Sequence, residues 1–262
     1  MAPKSKLLQL PEDVMRTIFG KLNFLEILNL HKTCHDFRNF IQEIQPDSQI
    51  YGIRIVVEID KISSHLDFDE IYEEYSEHKI FRISYKKQNN GVLVTWRLKS
   101  YYPEKSKFLE NSEILTVLSK DLEVILRHQK TGLRYLDLLF KYPNDHKKKD
   151  HFKILELFGN TQDPLKVKKF QFSGKGEHEV MEILPYLDSQ FLEILKIDVG
   201  KKNANSKLQE LIYLTQWGAV KEAELIGCTT VPWNFEHMRK VEISIQIVDT
   251  EQIMGFKEVR KF

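Results

Sequence analysis

The sequence predicts an α+β protein, with a small N-terminal three-helix unit followed by a curved parallel sheet that carries helices on one side. Three observations predict it. Apolar residues in the first forty or so positions recur with a helical period. Residues 51–98 hold alternating runs and an Asn-Asn-Gly turn, the marks of strands and a hairpin. From about Ser112 onward, five copies of one apolar pattern alternate with helical segments.

Pro11-Glu12-Asp13 starts the first helix, because Pro presets φ and acids favour the positive end of the helix dipole. Val14, Ile18 and Leu22 follow at i, i+4 and i+8, with Met15 and Phe19 beside them. Gly20 to Asn23 weakens and closes this helix. Phe24 to Leu30 is a second short helix, with Leu25, Ile27, Leu28 and Leu30 apolar. Thr33 is the expected N-cap of a third, which carries Phe37, Phe40, Ile41 and Ile44. Three short helices hold more large apolar groups than so small a unit can bury alone. Part of this surface is therefore expected to meet the rest of the chain or another protein.

Gln45-Pro46-Asp47 is a breaker cluster that ends the helical unit. Tyr51 to Ile59 reads as a strand, with Ile53, Ile55, Val57 and Ile59 on one face. Residues 60–78 are mixed, and Phe68, Ile71, Tyr72 and Tyr75 suggest a turn or two of helix. Ile80–Tyr85 and Val92–Leu98 are strands joined through Asn89-Asn90-Gly91, read as a type I′ turn. Phe81, Tyr85 and Trp96 allow two readings, a stacking platform for single-stranded nucleic acid or cross-strand packing; packing is the simpler.

The five copies are Leu133-x-x-Leu136-x-Leu138, Val167-x-x-Phe170-x-Phe172, Leu192-x-x-Leu195-x-Ile197, Val220-x-x-Ala223-x-Leu225 and Met238-x-x-Val241-x-Ile243. They begin 34, 25, 28 and 18 residues apart, around the leucine-rich-repeat range. Between them, Ile114–His128 carries Leu115, Leu118, Leu122, Ile125 and Leu126 on one helical face. Further short helices are expected around Phe152–Phe158, Val180–Leu187 (interrupted by Pro185) and Leu208–Trp217; Thr229–His237 is a loop or single turn, and Asp249 starts a last helix. Strand, crossover and parallel strand repeated in this way give a leucine-rich-repeat-like sheet with the helices on one side. Only the fourth copy has Asn or Cys three places after its last apolar residue, at Cys228, so no continuous side-chain ladder is expected. The 81–98 hairpin is expected to cap the first edge of the sheet.

Composition narrows the functional classes. The chain has 262 residues, 42% hydrophobic and 29% charged, and a net charge of +1, so nothing argues for general affinity for nucleic acid or a membrane. Two cysteines, Cys34 and Cys228, make no disulfide framework. No signal peptide or membrane span is expected, and the reading is a cytoplasmic or nuclear protein. His31, Cys34 and His35 lie close together but lack further ligands at metal-site spacing. Gly174-Lys175-Gly176 is a turn rather than a phosphate loop, and His146–Lys149 is a solvated basic run. No catalytic residue, metal site or cofactor is expected.

Leu10-Pro11-Glu12-Asp13-Val14, Ile18, Leu22, Leu25-Glu26-Ile27-Leu28 and Cys34-His35-Asp36-Phe37-Arg38 with Phe40-Ile41 together resemble an F-box. His35 stands where that motif usually has Lys, and Phe37 where many members have Trp. The whole chain is similar to nematode F-box proteins with an FTH domain. Leu-Arg-Tyr-Leu-Asp-Leu, Phe-Leu-Glu-Ile-Leu-Lys-Ile and Thr215-Gln216-Trp217 before Val-Lys-x-Ala-Glu-Leu carry that resemblance. The division it implies is a tail at 1–5, the F-box at 6–45, a strand and hairpin region at 46–110 and an irregular repeat domain at 111–262. It implies a non-catalytic substrate receptor of a Skp–cullin–F-box ubiquitin ligase, monomeric within the complex. Leu10, Pro11, Glu12, Val14, Ile18, Leu22, Ile27 and Leu28 would bind the Skp-type adaptor, and the repeat domain an unspecified protein substrate. Loops 139–151, 173–178, 199–206 and 227–236 are candidate substrate contacts, since binding residues favour loops on a rigid scaffold. The alternative is a scaffold or translational regulator that binds a protein or RNA partner without ubiquitination.

Overall fold

The structure is a computed structural model that describes residues 9–22, 24–68, 80–98, 102–127, 129–141, 163–174, 178–200, 208–228 and 234–245. The helices expected at 152–158 and after Asp249 lie outside the described residues, as does the helical turn expected at 71–75.

Helix α1 spans Glu12–Phe19, α2 Phe24–His31 and α3 His35–Ile44. The Pro11 carbonyl accepts from the Val14 and Met15 amides, both at 3.1 Å, so Pro11 is the helix cap as well as the φ-setting residue. Thr33 is not the cap of α3. Its hydroxyl donates back to the Leu30 carbonyl at 2.7 Å, and Cys34 takes the extended N-cap position. Gln45, left-handed at φ 43°, stops α3. Met15, Phe19, Ile27, Phe37, Ile41 and Ile44 form the core of this unit, with the Phe19 ring 5.3 Å from Phe40. The opposite side of α2 does not join that core: Phe24, Leu25 and Leu28 pack into the main core below the sheet. The excess apolar surface is thus divided between two cores.

The sheet has ten strands: β1 Gly52–Val57, β2 Lys61–Asp67, β3 Ile80–Gln88, β4 Gly91–Leu98, β5 Lys105–Glu110, β6 Leu133–Phe140, β7 Val167–Ser173, β8 Ile194–Asp198, β9 Glu222–Cys228 and β10 Lys240–Ile245. Their order is β10-β9-β8-β7-β6-β1-β2-β3-β4-β5, parallel from β1 through β10 and antiparallel from β1 through β5. The hairpin therefore does not cap β6 directly; β1 and β2 lie between. Strands β2 and β5 escape sequence reading because Ser64 occupies a core position in one, and the other is a lysine-bearing edge strand. β1 ends at Val57, and Ile59 is exposed in the turn to β2.

The repeat positions fall in register. Leu136, Phe170, Leu195, Ala223 and Val241 are successive cross-strand partners, and so are Leu138, Phe172, Ile197, Leu225 and Ile243. Each row extends into β1 through Ile53 and Ile55. Ile50-x-x-Ile53-x-Ile55 is thus a sixth copy, recognisable by its spacing but separated from the others by the antiparallel strands. Helix α4, Ile114–Arg127, buries Leu118, Leu122, Ile125 and Leu126 in the same core, each contributing about 1.5–3 kcal/mol relative to exposure. Helix α5, His178–Ile183, passes at Pro185 into a 3₁₀ turn, Leu184–Tyr186. A second 3₁₀ turn, Leu208–Tyr213, precedes α6, Thr215–Ala219. Val180, Ile183, Leu184, Leu187, Leu208, Leu211 and Trp217 are buried, whereas Ile212 points outward. The Trp217 indole N–H donates to the Asn234 carbonyl at 3.1 Å, tying the crossover from β8 to β9 to the approach of β10.

Two glycines have duties the sequence pattern hides. Gly91 serves strand approach rather than the turn: a Cβ there would lie 2.2 Å from the Leu109 carbonyl oxygen of β5. Asn89 alone supplies a positive φ, 47°, so the loop is not the type I′ turn expected, which needs positive φ at both central residues. Gly227 has φ 79°, and its Cβ would come 2.8 Å from the Gly200 carbonyl oxygen. Gly218, by contrast, has open space where a Cβ would stand. Gly227→Ala is expected to lower stability by at least about 1 kcal/mol, and Gly218→Ala, at a helical position, to leave it unchanged or raise it by up to about 1 kcal/mol. Urea midpoints of the two variants check this.

Candidate docking site

Helix α1 has two apolar stripes. Met15 and Phe19 point into the helical core. Leu10 and Val14, 39% and 42% exposed, stand on the other stripe with exposed Pro11 and Glu12 and half-buried Ile18. Leu22 continues it but packs against the helical core. Glu12 bonds Arg16 one turn on, at 2.6 Å, and that exposed pair adds little stability. The strip Leu10–Val14–Ile18 belongs to neither core. Of the eight residues predicted from sequence, Ile27 is only 4% exposed inside the helical core, and Leu28 packs on the main core. The first six lie together along α1 and its ends, and the last two lie on α2.

The helical unit is bolted to the sheet by residues 47–50. Asp47 accepts from the Lys130 and Thr131 amides at 3.0 and 3.1 Å. Gln129 brackets Ile50: its side-chain oxygen accepts from the Ile50 amide at 3.1 Å, and its side-chain nitrogen donates to the Ile50 carbonyl at 2.9 Å. Ser48 donates to the Ile125 carbonyl at 3.3 Å. Gln49 donates to the Gly20 carbonyl at 2.6 Å, closing the link back to the end of α1.

The sheet face away from α4 carries the residues between the repeat positions. Arg54, Asp137, Gln171, Lys196, Glu224 and Glu242 are successive cross-strand partners along it. Arg54 donates twice to one Asp137 oxygen, at 2.9 and 3.0 Å, while burial pushes the Asp137 carboxyl above its usual range and Arg54 opposes that shift. Lys196 pairs with Glu224, and Lys240 with Glu242 at 2.7 Å. Tyr135 donates to Asp67 at 3.2 Å. On β2, His65 is pushed down to about 4 by burial and then by Arg82, Arg54, Lys61 and Arg97.

The other sequence candidates resolve differently. Cys34 is half-buried against the helical core. Tyr85 is buried and donates to Asp121 at 2.8 Å, and Phe81 and Trp96 pack on the main core, so these aromatics serve packing. The basic run 146–149 lies outside the described residues, as do Lys175 and Gly176 and most of the candidate loops. Among the described residues, no helix is long and apolar enough to cross a membrane.

Comparison with protein families finds an F-box domain over residues 7–47 and an FTH domain over residues 149–260. No curated protein and no solved structure matches the chain.

The His65 environment has a measurable consequence. Its folded pKa lies below its unfolded value of 6.5, so the unfolded chain binds the proton more readily. The stability contributed by neutral His65 is present above pH 6.5 and is lost as pH falls toward about 4. His65→Gln should therefore flatten the fall in urea midpoint between about pH 7 and about pH 5 relative to the parent chain.

Proposed function

We propose that this chain, which has the F-box and FTH architecture typical of nematode F-box proteins, is a substrate receptor of a Skp–cullin–F-box ubiquitin ligase. F-box domains support a substrate-adaptor role in such ligases, and F-box proteins are typically non-catalytic. The observation that carries the reading is the Leu10–Val14–Ile18 strip, an apolar stripe that neither core of the protein covers. Exposed Pro11 and Glu12 stand beside it, giving the apolar centre and polar rim of a docking surface. The Skp-type adaptor would seat on this strip and bring the cullin with it. A protein substrate would be held by the sheet domain.

The contribution to ubiquitin transfer is then effective concentration and orientation, with bond chemistry left to the partner enzyme. Residues 47–50 favour this division of labour. Their hydrogen bonds across to the end of α4 hold the docking strip at a set position relative to the sheet.

Leu10→Ala with Val14→Ala removes exposed apolar groups, so the fold should keep its urea midpoint while adaptor capture falls at least about tenfold, the mark of a central docking residue. Undiminished capture by this folded variant would refute the assignment. Ile27→Ala should behave oppositely, costing about 2–5 kcal/mol in the helical core and losing capture only through unfolding.

A further inference from the structure

On the antiparallel half of the sheet, the face away from α4 presents three rows in register. Lys61, Lys86 and Leu93 form the first row on β2, β3 and β4. Ser63, Ser84 and Thr95 form the second, with the two serine hydroxyls 3.3 Å apart. His65, Arg82 and Arg97 form the third. Lysine thus faces lysine and arginine faces arginine directly across neighbouring strands, a destabilising arrangement. Among the described residues, Lys61, Lys86, Arg82 and Arg97 make no ion pair, whereas Arg54, Lys196 and Lys240 on the same face each have a carboxylate partner. Glu58 stands opposite Lys61, its amide donating to the Lys61 carbonyl at 2.8 Å, but makes no ion pair with it. The other carboxylates in register stand at opposite corners: Asp67, bonded by Tyr135, and Glu110, opposite Gly91.

We propose that this face docks an acidic, extended peptide segment of the substrate protein. The proposal rests on reading the chain as a substrate receptor. The two cation rows are four residues apart along each strand, about 13 Å. That distance suits two separate carboxylates better than one compact dianion. A peptide running along the strands would meet it with acids at positions i and i+4, its backbone passing over the hydroxyl row. The guanidinium pair binds a carboxylate through its forked N–H groups. Nucleic acid is disfavoured by the placement of the aromatics. Phe81, Tyr85 and Trp96 lie on the helix side, away from the cations. On the cation face the lysine row ends in a single exposed aromatic, Phe108, opposite Leu93, which is too little for a stacking platform.

The test uses the purified full chain and the fluorescein-labelled peptide Glu-(Gly-Ser-Gly-Glu)₃, followed by anisotropy. Arg82→Gln with Arg97→Gln should weaken binding at least tenfold. Lys105→Gln with Lys107→Gln, equal in charge change but on the other side of the sheet, should alter it less than twofold. The melting temperature of the arginine variant should hold or rise, since it relieves repulsion. A fall of several degrees would make the arginines structural and overturn the proposal. So would unchanged binding by that variant, or equal or tighter binding of a phosphoserine peptide of matched charge or of oligouridine. Adaptor capture by the same preparation is read separately. Its loss alone would refute the receptor reading while leaving the peptide site standing, and peptide failure with intact capture would do the reverse.

Discussion

Everything in this structure depends on the pairing of β1 with β6. β1 is antiparallel to β2 on one side and parallel to β6 on the other, so it joins a meander to a repeat array in one sheet. The junction is permitted by a missing side chain. A Cβ on Gly52 would lie 2.1 Å from the Tyr135 ring, which occupies that space and donates to Asp67. Ile53 and Ile55 then meet Leu136 and Leu138, and the repeat rows begin one strand earlier than the second half of the chain suggests. The Arg54–Asp137 pair, with Asp137 buried and Arg54 half-buried, reinforces the same junction on the opposite face. Such a pair is weak evidence for net stability, because two charges lose their hydration; its directional bonds instead resist slippage of the register.

The repeat strands were legible because their signal is physical: one face of every parallel strand must be apolar at the same three positions. The pattern exposed β6 to β10 but left β1 unassigned to the series, since its copy stands 83 residues ahead of the next. β2 was illegible for the opposite reason. His65 and Ser64 fill positions where a strand would advertise itself with branched or aromatic residues. The exposed strip on α1 was half legible. The i, i+4 spacing identifies both stripes of α1, yet spacing alone cannot say which faces in. Met15 and Phe19 take the interior, where the Phe19 ring packs on Phe37 and Phe40. For Ile27 and Leu28 the difficulty is that α2 is apolar on nearly every side, so nothing local shows which of the two cores each residue meets.

The cation rows were beyond sequence reading altogether. Lys61, Arg82, Lys86 and Arg97 are scattered along 37 positions in a chain whose net charge is +1. Only the registers of β2, β3 and β4 gather them. On the repeat side of that face cations find cross-strand carboxylates, as Arg54 finds Asp137 and Lys196 finds Glu224. The face is therefore electrically settled across the repeats and unsettled across the meander, and the asymmetry arises from cross-strand neighbours alone.

The shared loyalty of α2 has an evolutionary corollary. Ile27 serves the helical core, while Phe24, Leu25 and Leu28 serve the core beneath the sheet. A recombination event that cut at the Gln45–Pro46 breaker would carry those three side chains away from the partners that bury them. The N-terminal unit is thus no interchangeable cassette. Any successful shuffling of it between chains must carry along matching residues of the main core, or arise together with compensating changes in it.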